Sequence, residues 1–185
     1  MTTKTAPVTV HEIAEATGTA TRTGARLLVH LITPGWGTSG YYPQTVLEAA
    51  GEAGVFPAGT HMYLDHPGIA EQDDRPVRSV RDLAAVLDTP ARWDPAVGAL
   101  VAEVRVLSPY QGTLAEMAPD IGVSIRGSAM GEYGTAEGRD GLIFTQLVEA
   151  ISVDFVTRAG RGEDRRRPRV GPPSARRCGG RAWRG

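Results

Sequence analysis

Leu142-Ile143-Phe144-Thr145-Gln146-Leu147-Val148-Glu149-Ala150-Ile151-Ser152-Val153-Asp154-Phe155-Val156-Thr157 is the stretch on which the fold turns. It is rich enough in β-branched residues to form one long strand or two short ones. Two carboxylates, Glu149 and Asp154, interrupt its apolar run. A carboxylate inside an apolar strand is costly unless paired, and orienting a catalytic imidazole is one use that justifies the cost. Edge-strand charges facing water are the other reading. Five positions separate the two, so on one regular strand they face opposite ways and only one reaches a shared site. The residues alone leave open which one.

Working outward, residues 131–141 are hydrophilic and read as a loop of hairpin length, preceded by strand character in Ile121-Gly122-Val123-Ser124-Ile125-Arg126. Residues 98–107 alternate, with Leu100, Ala102, Val104 and Val106 on one face. Ser108-Pro109 offers an N-cap followed by proline and opens a helix over 110–118, which Pro119-Asp120 ends. Over 79–88 a helix and a strand are both defensible. The short strand 61–65 stops at His66-Pro67, and the run 44–53 reads as a helix closed by Gly54. The first convincing strand is 25–32, stopped by Thr33-Pro34-Gly35-Trp36-Gly37. Residues 1–20 look like a frayed lead-in with a short helix near 11–16. The sum is a strand-dominated α+β domain with two or three helices, a barrel or strongly bent sheet.

Composition fits one such domain: 185 residues, 41% apolar, 22% charged and 6% aromatic. No run approaches the roughly 18 to 20 apolar residues that span a bilayer, and Met1-Thr2-Thr3-Lys4 lacks a signal-peptide core. The expectation is a soluble, cytoplasmic protein without a membrane partner. A single cysteine, Cys178, excludes an internal disulfide and a cysteine-based zinc site. Residues 1–160 hold 11 Lys and Arg against 19 Asp and Glu, net −8, while residues 161–185 hold 9 Arg against 2 acids, net +7. The acidic body argues against a specific nucleic-acid partner. The reading therefore divides the chain into a flexible lead-in (1–23), a folded domain (24–162) and a disordered Arg/Gly/Pro-rich tail (163–185).

Two clusters carry candidate chemistry. In His61-Met62-Tyr63-Leu64-Asp65-His66-Pro67, His61, Asp65 and His66 could be metal ligands, but strand alternation separates His61 from His66. His66 stands at a strand end fixed by Pro67, where a general base can be presented rigidly. In Gly122-Val123-Ser124-Ile125-Arg126-Gly127-Ser128, Ser124 is either a small polar core residue or a nucleophile. Glycine amides and Arg126 stand near it to stabilise an oxyanion. The flanks do not match the Gly-x-Ser-x-Gly elbow of α/β-hydrolases.

Together the segments resemble the capsid maturation (prohead) proteases of tailed bacteriophages, in particular the version common in actinobacterial phages. The resemblance rests on Pro34-Gly35-Trp36-Gly37-Thr38-Ser39-Gly40-Tyr41-Tyr42, Tyr63-Leu64-Asp65-His66-Pro67, Asp74-Arg75-Pro76-Val77-Arg78-Ser79-Val80-Arg81-Asp82-Leu83, Ile121 to Arg126 and Ser152-Val153-Asp154-Phe155-Val156-Thr157-Arg158-Ala159-Gly160. It covers roughly residues 24 to 162. Each motif is weak by itself, and the five in order are strong.

The resemblance implies a fold related to the herpesvirus assemblins, serine endopeptidases built on a closed β-barrel surrounded by helices. It implies His66 as the catalytic histidine and Ser124 as the nucleophile. A third group about 25 residues beyond the serine would be Glu149, slightly ahead of Asp154, although Asp154 lies in the better-matching motif. Arg158, with Arg126, would support the oxyanion. No metal and no cofactor is required. The implied substrates are segments of scaffold protein and major capsid protein, and the protease itself, inside the assembling prohead in the host cytoplasm, a setting that allows self-association.

Beyond Gly162 the chain departs from the family pattern. Its Arg/Gly/Pro/Ala/Trp bias is what an out-of-frame reading of GC-rich DNA encodes, which suggests a prophage-borne copy with a frameshifted end. The competing readings are a non-catalytic, scaffold-like assembly protein, an inactive remnant, and a metal-dependent hydrolase using His61, Asp65 and His66.

Overall fold

Alternating apolar residues build most of this molecule, whose structure, a computed structural model, describes residues 7–14, 26–67, 71 and 77–157. Its strands are β1 (Pro7–Ala14), β2 (Arg26–Ile32), β3 (Gly35–Trp36), β4 (Tyr41–Tyr42), β5 (His61–Leu64), β6 (Leu83–Leu87), β7 (Arg92–Asp94), β8 (Ala99–Val106), β9 (Gly122–Ala136) and β10 (Arg139–Val156). The helices are α1 (Gln44–Glu52) and α2 (Gln111–Met117), the latter preceded by a 3-10 turn, Ser108–Tyr110. All ten strands join one sheet, whose main order is β1-β9-β10-β5-β6-β8-β2.

That order corrects the expected closed barrel. Among the described residues no ladder joins β1 to β2, so the sheet ends in two edges and forms an open, curled half-barrel. Nor, among the described residues, do helices surround it, since α1 and α2 are short and cover little of the sheet. The curl comes from the long β9–β10 ladder, whose register slips between Phe144 and Gln146, Leu147 and Glu149, and Ala150 and Ser152. Each bulge adds a residue to β10 alone, bending the strand and raising its twist. Closure would need a matching stagger between the outermost strands, and composition does not encode that.

The core lies beneath α1. Val46, Leu47 and Ala50 of α1 are buried, and the helix packs on β10, β7 and β8. Leu31, Met62, Leu87, Leu100, Val104, Phe144 and Val153 belong to the same cluster. Gly54, at φ +64, ends α1 as expected, with the Val55 N–H bonded back to the Ala50 carbonyl at 3.0 Å.

Four local expectations change. Residues 7–14 form a strand rather than a short helix, because β9 presents an antiparallel edge with which they pair. The 79–88 ambiguity resolves as strand β6, held between β5 and β8. Residues 131–141 are not a loop: the β9–β10 ladder runs through them to a two-residue turn at Glu137 (φ 50) and Gly138 (φ 74). Gly138 serves the turn, whereas Gly141 serves packing, since a Cβ on it would lie 2.8 Å from the Trp36 ring. Trp36 itself donates from Nε1 to the Ala136 carbonyl at 3.1 Å, tying the Pro34 to Tyr42 segment to the hairpin. Finally, the 3-10 turn begins at Ser108 with Leu107 in the N-cap place, so Ser108 is not the cap. Residues 1–6, 15–25 and the tail 163–185 lie outside the described residues.

Candidate active site

Strand register sets up one row of three residues. In the antiparallel ladder Asp154 of β10 stands opposite Ser124 of β9, and in the parallel ladder Asp154 stands beside Tyr63 of β5. The β5–β10 pairing runs one residue past the strand, with the Asp65 N–H bonded to the Phe155 carbonyl at 2.9 Å. There Asp65 takes φ 59, a left-handed conformation that Asp tolerates better than most residues. The turn carries His66 back over the row, and buried Pro67 follows it.

The imidazole bridges the other two. His66 Nδ1 lies 2.7 Å from Asp154 Oδ2, and His66 Nε2 lies 2.9 Å from Ser124 Oγ. A carboxylate only accepts, so Nδ1 carries the proton and donates to Asp154, which leaves Nε2 to accept from the Ser124 hydroxyl. Asp154 is completely buried and Ser124 nearly so, while the His66 side chain keeps 18% exposure. The arrangement can draw the hydroxyl proton onto the imidazole while the buried carboxylate holds the ring's tautomer and orientation.

Both ring nitrogens are thus occupied, and neither partner is Glu149. Position separates Glu149 from these contacts: it pairs with Ser128, four residues along β9 from Ser124, roughly 13 Å away at the strand rise, and it is exposed. The argument from five-residue parity also fails, because the bulge between Ala150 and Ser152 absorbs one residue. Distance along the ladder, not facing, separates the two carboxylates.

Arg126 is on β9, two residues beyond Ser124 and so on the same face, opposite Ser152. It is buried, and burial pushes its guanidinium below the usual range, an effect that Asp154 opposes and Arg78 reinforces. Arg126 Nε, Ser152 Oγ and Asp154 Oδ1 are buried without hydrogen-bond partners. Arg158 lies outside the described residues. His61 meets the Tyr63 hydroxyl at 3.0 Å. Among the described residues no group of three His, Cys, Asp or Glu is placed to hold a metal ion.

Arg78 was missed as a site residue. It contacts Asp154 Oδ2 at 3.3 Å and donates to the backbone carbonyls of Leu64 and Asp65. Its guanidinium lies over the Tyr63 ring, 4.4 Å from the centroid. Burial pushes the Tyr63 hydroxyl upward, with the Arg78 cation opposing and Asp154 adding to the shift. The one signal in the sequence was its place in the Asp74 to Leu83 stretch, which by itself names no partner.

Fold and site together define an open, curled β-sheet protein with a hydrogen-bonded Ser–His–Asp chain at the β5–β9–β10 junction. No protein-family model matches the chain, and no curated protein matches it. Among solved structures it is similar to the bacteriophage T4 capsid assembly protease gp21, with a TM-score of 0.45 and 15% identity over 82% of this chain and 94% of that one.

Proposed function

We propose that the chain is a serine endopeptidase of the prohead maturation type. The observation that carries the reading is the unbroken chain from Asp154 Oδ2 through His66 to Ser124 Oγ. His66 Nε2 takes the Ser124 proton as Oγ bonds to the peptide carbonyl carbon, and the carbonyl oxygen becomes an oxyanion. Arg126, on the same face as Ser124, supports that charge. The imidazolium then protonates the leaving amine as the C–N bond breaks, leaving an acyl-serine. Water repeats the sequence: His66 takes its proton, the hydroxide oxygen bonds to the acyl carbon, and Ser124 leaves reprotonated.

The substrate class rests on the five ordered motifs described above. Segments of scaffold and major capsid protein, and the protease itself, would be cut inside the assembling prohead. High local concentration there compensates for a slow enzyme. The test is coexpression of this chain with the neighbouring capsid and scaffold genes, followed by intact mass analysis. The expected result is defined cleavage products that disappear with Ser124→Ala, a loss on the order of 10⁴- to 10⁶-fold. A folded wild-type chain that cleaves nothing sinks the reading and leaves the scaffold-like role.

A further inference from the structure

We infer that Arg78 is a positioning residue that locks the base and its carboxylate together, an inference that rests on the peptidase reading above. Three of its contacts converge on the two parts of the row that must stay in register. Nη2 donates to the Asp65 carbonyl at 2.8 Å and to the Leu64 carbonyl at 3.3 Å, and Nη1 lies 3.3 Å from Asp154 Oδ2. The Asp65 carbonyl belongs to the peptide unit that carries His66. A single guanidinium therefore ties the backbone presenting the imidazole to the carboxylate that orients it.

The contact to Asp154 matters for two reasons. The carboxylate is completely buried, where a charge needs a partner, and Arg78 supplies a cation at 3.3 Å. The second reason is rotational. Oδ2 is shared by His66 Nδ1 and Arg78, whereas Oδ1 is buried with no hydrogen-bond partner. Without Arg78, rotation of the carboxylate would offer Oδ1 to the imidazole in a second geometry. The planar guanidinium fork reaches both groups at once, and the Tyr63 ring beneath it restricts its swing. A lysine ammonium can reach the carboxylate or the carbonyls, but it cannot reproduce the fork.

The experiment uses full-length wild type, Arg78→Met, Arg78→Lys and Ser124→Ala, with an alkyl fluorophosphonate as the probe. Labelling rates are read by intact mass, and the low-field Nδ1–H proton resonance of His66 is followed by NMR. Arg78→Met is expected to label about 10- to 100-fold more slowly, as misplacement of a catalytic group by about 1 Å does. Its Nδ1–H resonance should shift or broaden, and Arg78→Lys should recover only part of the rate. A folded Arg78→Met chain with wild-type labelling and an unmoved resonance overturns the inference. Should that variant fail to fold, Arg78→Lys decides: a wild-type rate overturns the inference, and a slowed rate in a folded chain supports it. The two readings fail differently. A folded wild type that is not labelled removes the serine peptidase and the inference with it, whereas equal labelling of wild type and Arg78→Met removes Arg78 alone.

Discussion

Where residues 123–126 of β9 pair with residues 152–155 of β10, the two faces of the ladder are equally buried and chemically opposite. Val123, Ile125, Val153 and Phe155 form one, and Ser124, Arg126, Ser152 and Asp154 form the other, with no residue of either set more than 7% exposed. The apolar face needs only contact, and it belongs to the cluster that includes Leu47 and Met62. The polar face needs partners, and it leaves Arg126 Nε, Ser152 Oγ and Asp154 Oδ1 without them. Such groups carry a desolvation cost that an apolar lining would avoid. The difference teaches that stability is made on one side of these strands, while the other side carries polar groups at a cost to stability.

The largest expected effect comes from the polar face. Asp154→Asn should lower activity on the order of 10⁴-fold, because an amide can favour the wrong imidazole tautomer. Glu149→Gln should change it by less than about twofold, being remote from the imidazole. Parallel rates of peptide cleavage or serine labelling check this, and a larger loss in the Glu149 variant would break the assignment.

On the apolar face the effect is on folding. Phe155→Ala should cost about 3–5 kcal/mol, read as a lower denaturant midpoint at constant slope. A residue on the opposite face of the same strand tests the contrast. Ser152→Ala removes a buried, unpartnered hydroxyl, so stability should stay within about 1 kcal/mol of wild type or rise. A loss comparable to that of Phe155→Ala would show that the polar face is structural after all.

The smallest effect concerns a polar atom inside the apolar region. Tyr42 is buried against Phe144, ring centroids 4.5 Å apart, with its hydroxyl unpartnered. Burial pushes its pKa far above the ordinary value. The folded state therefore keeps a proton that the unfolded chain loses above about pH 10, so this contribution is complete below pH 10 and is lost as pH rises further. Tyr42→Phe should be within about 1 kcal/mol of wild type at pH 8 and relatively more stable at pH 11. Denaturant midpoints at the two pH values measure it, and an unchanged difference would refute it.

Local pattern made several elements legible. The alternation of Leu100, Ala102, Val104 and Val106 matches β8, and the unbroken run before Gly54 matches α1. Ser124 and His66 stood out because their surroundings were unusual: a serine in an apolar strand and a histidine fixed by proline at a strand end. Residues 131–141 were misread because glycine signals both turns and close packing, and tertiary neighbours such as Trp36, about a hundred residues from Gly141, distinguish them. The choice between Glu149 and Asp154 depended on a bulge, which shifts register without a sequence marker. Arg78 was visible as a residue and invisible as a contact, since its partner Asp154 lies 76 positions away.

By itself the sequence determined a strand-dominated chain and the identities of a serine, a histidine and two carboxylates available for chemistry. These follow from side-chain period and residue type, which are local properties. Only the tertiary structure decided that the sheet stays open, that Asp154 rather than Glu149 meets His66, and that Arg78 joins them. Those outcomes depend on the register between strands distant in sequence, where slipping by one residue exchanges the faces and moves every partner.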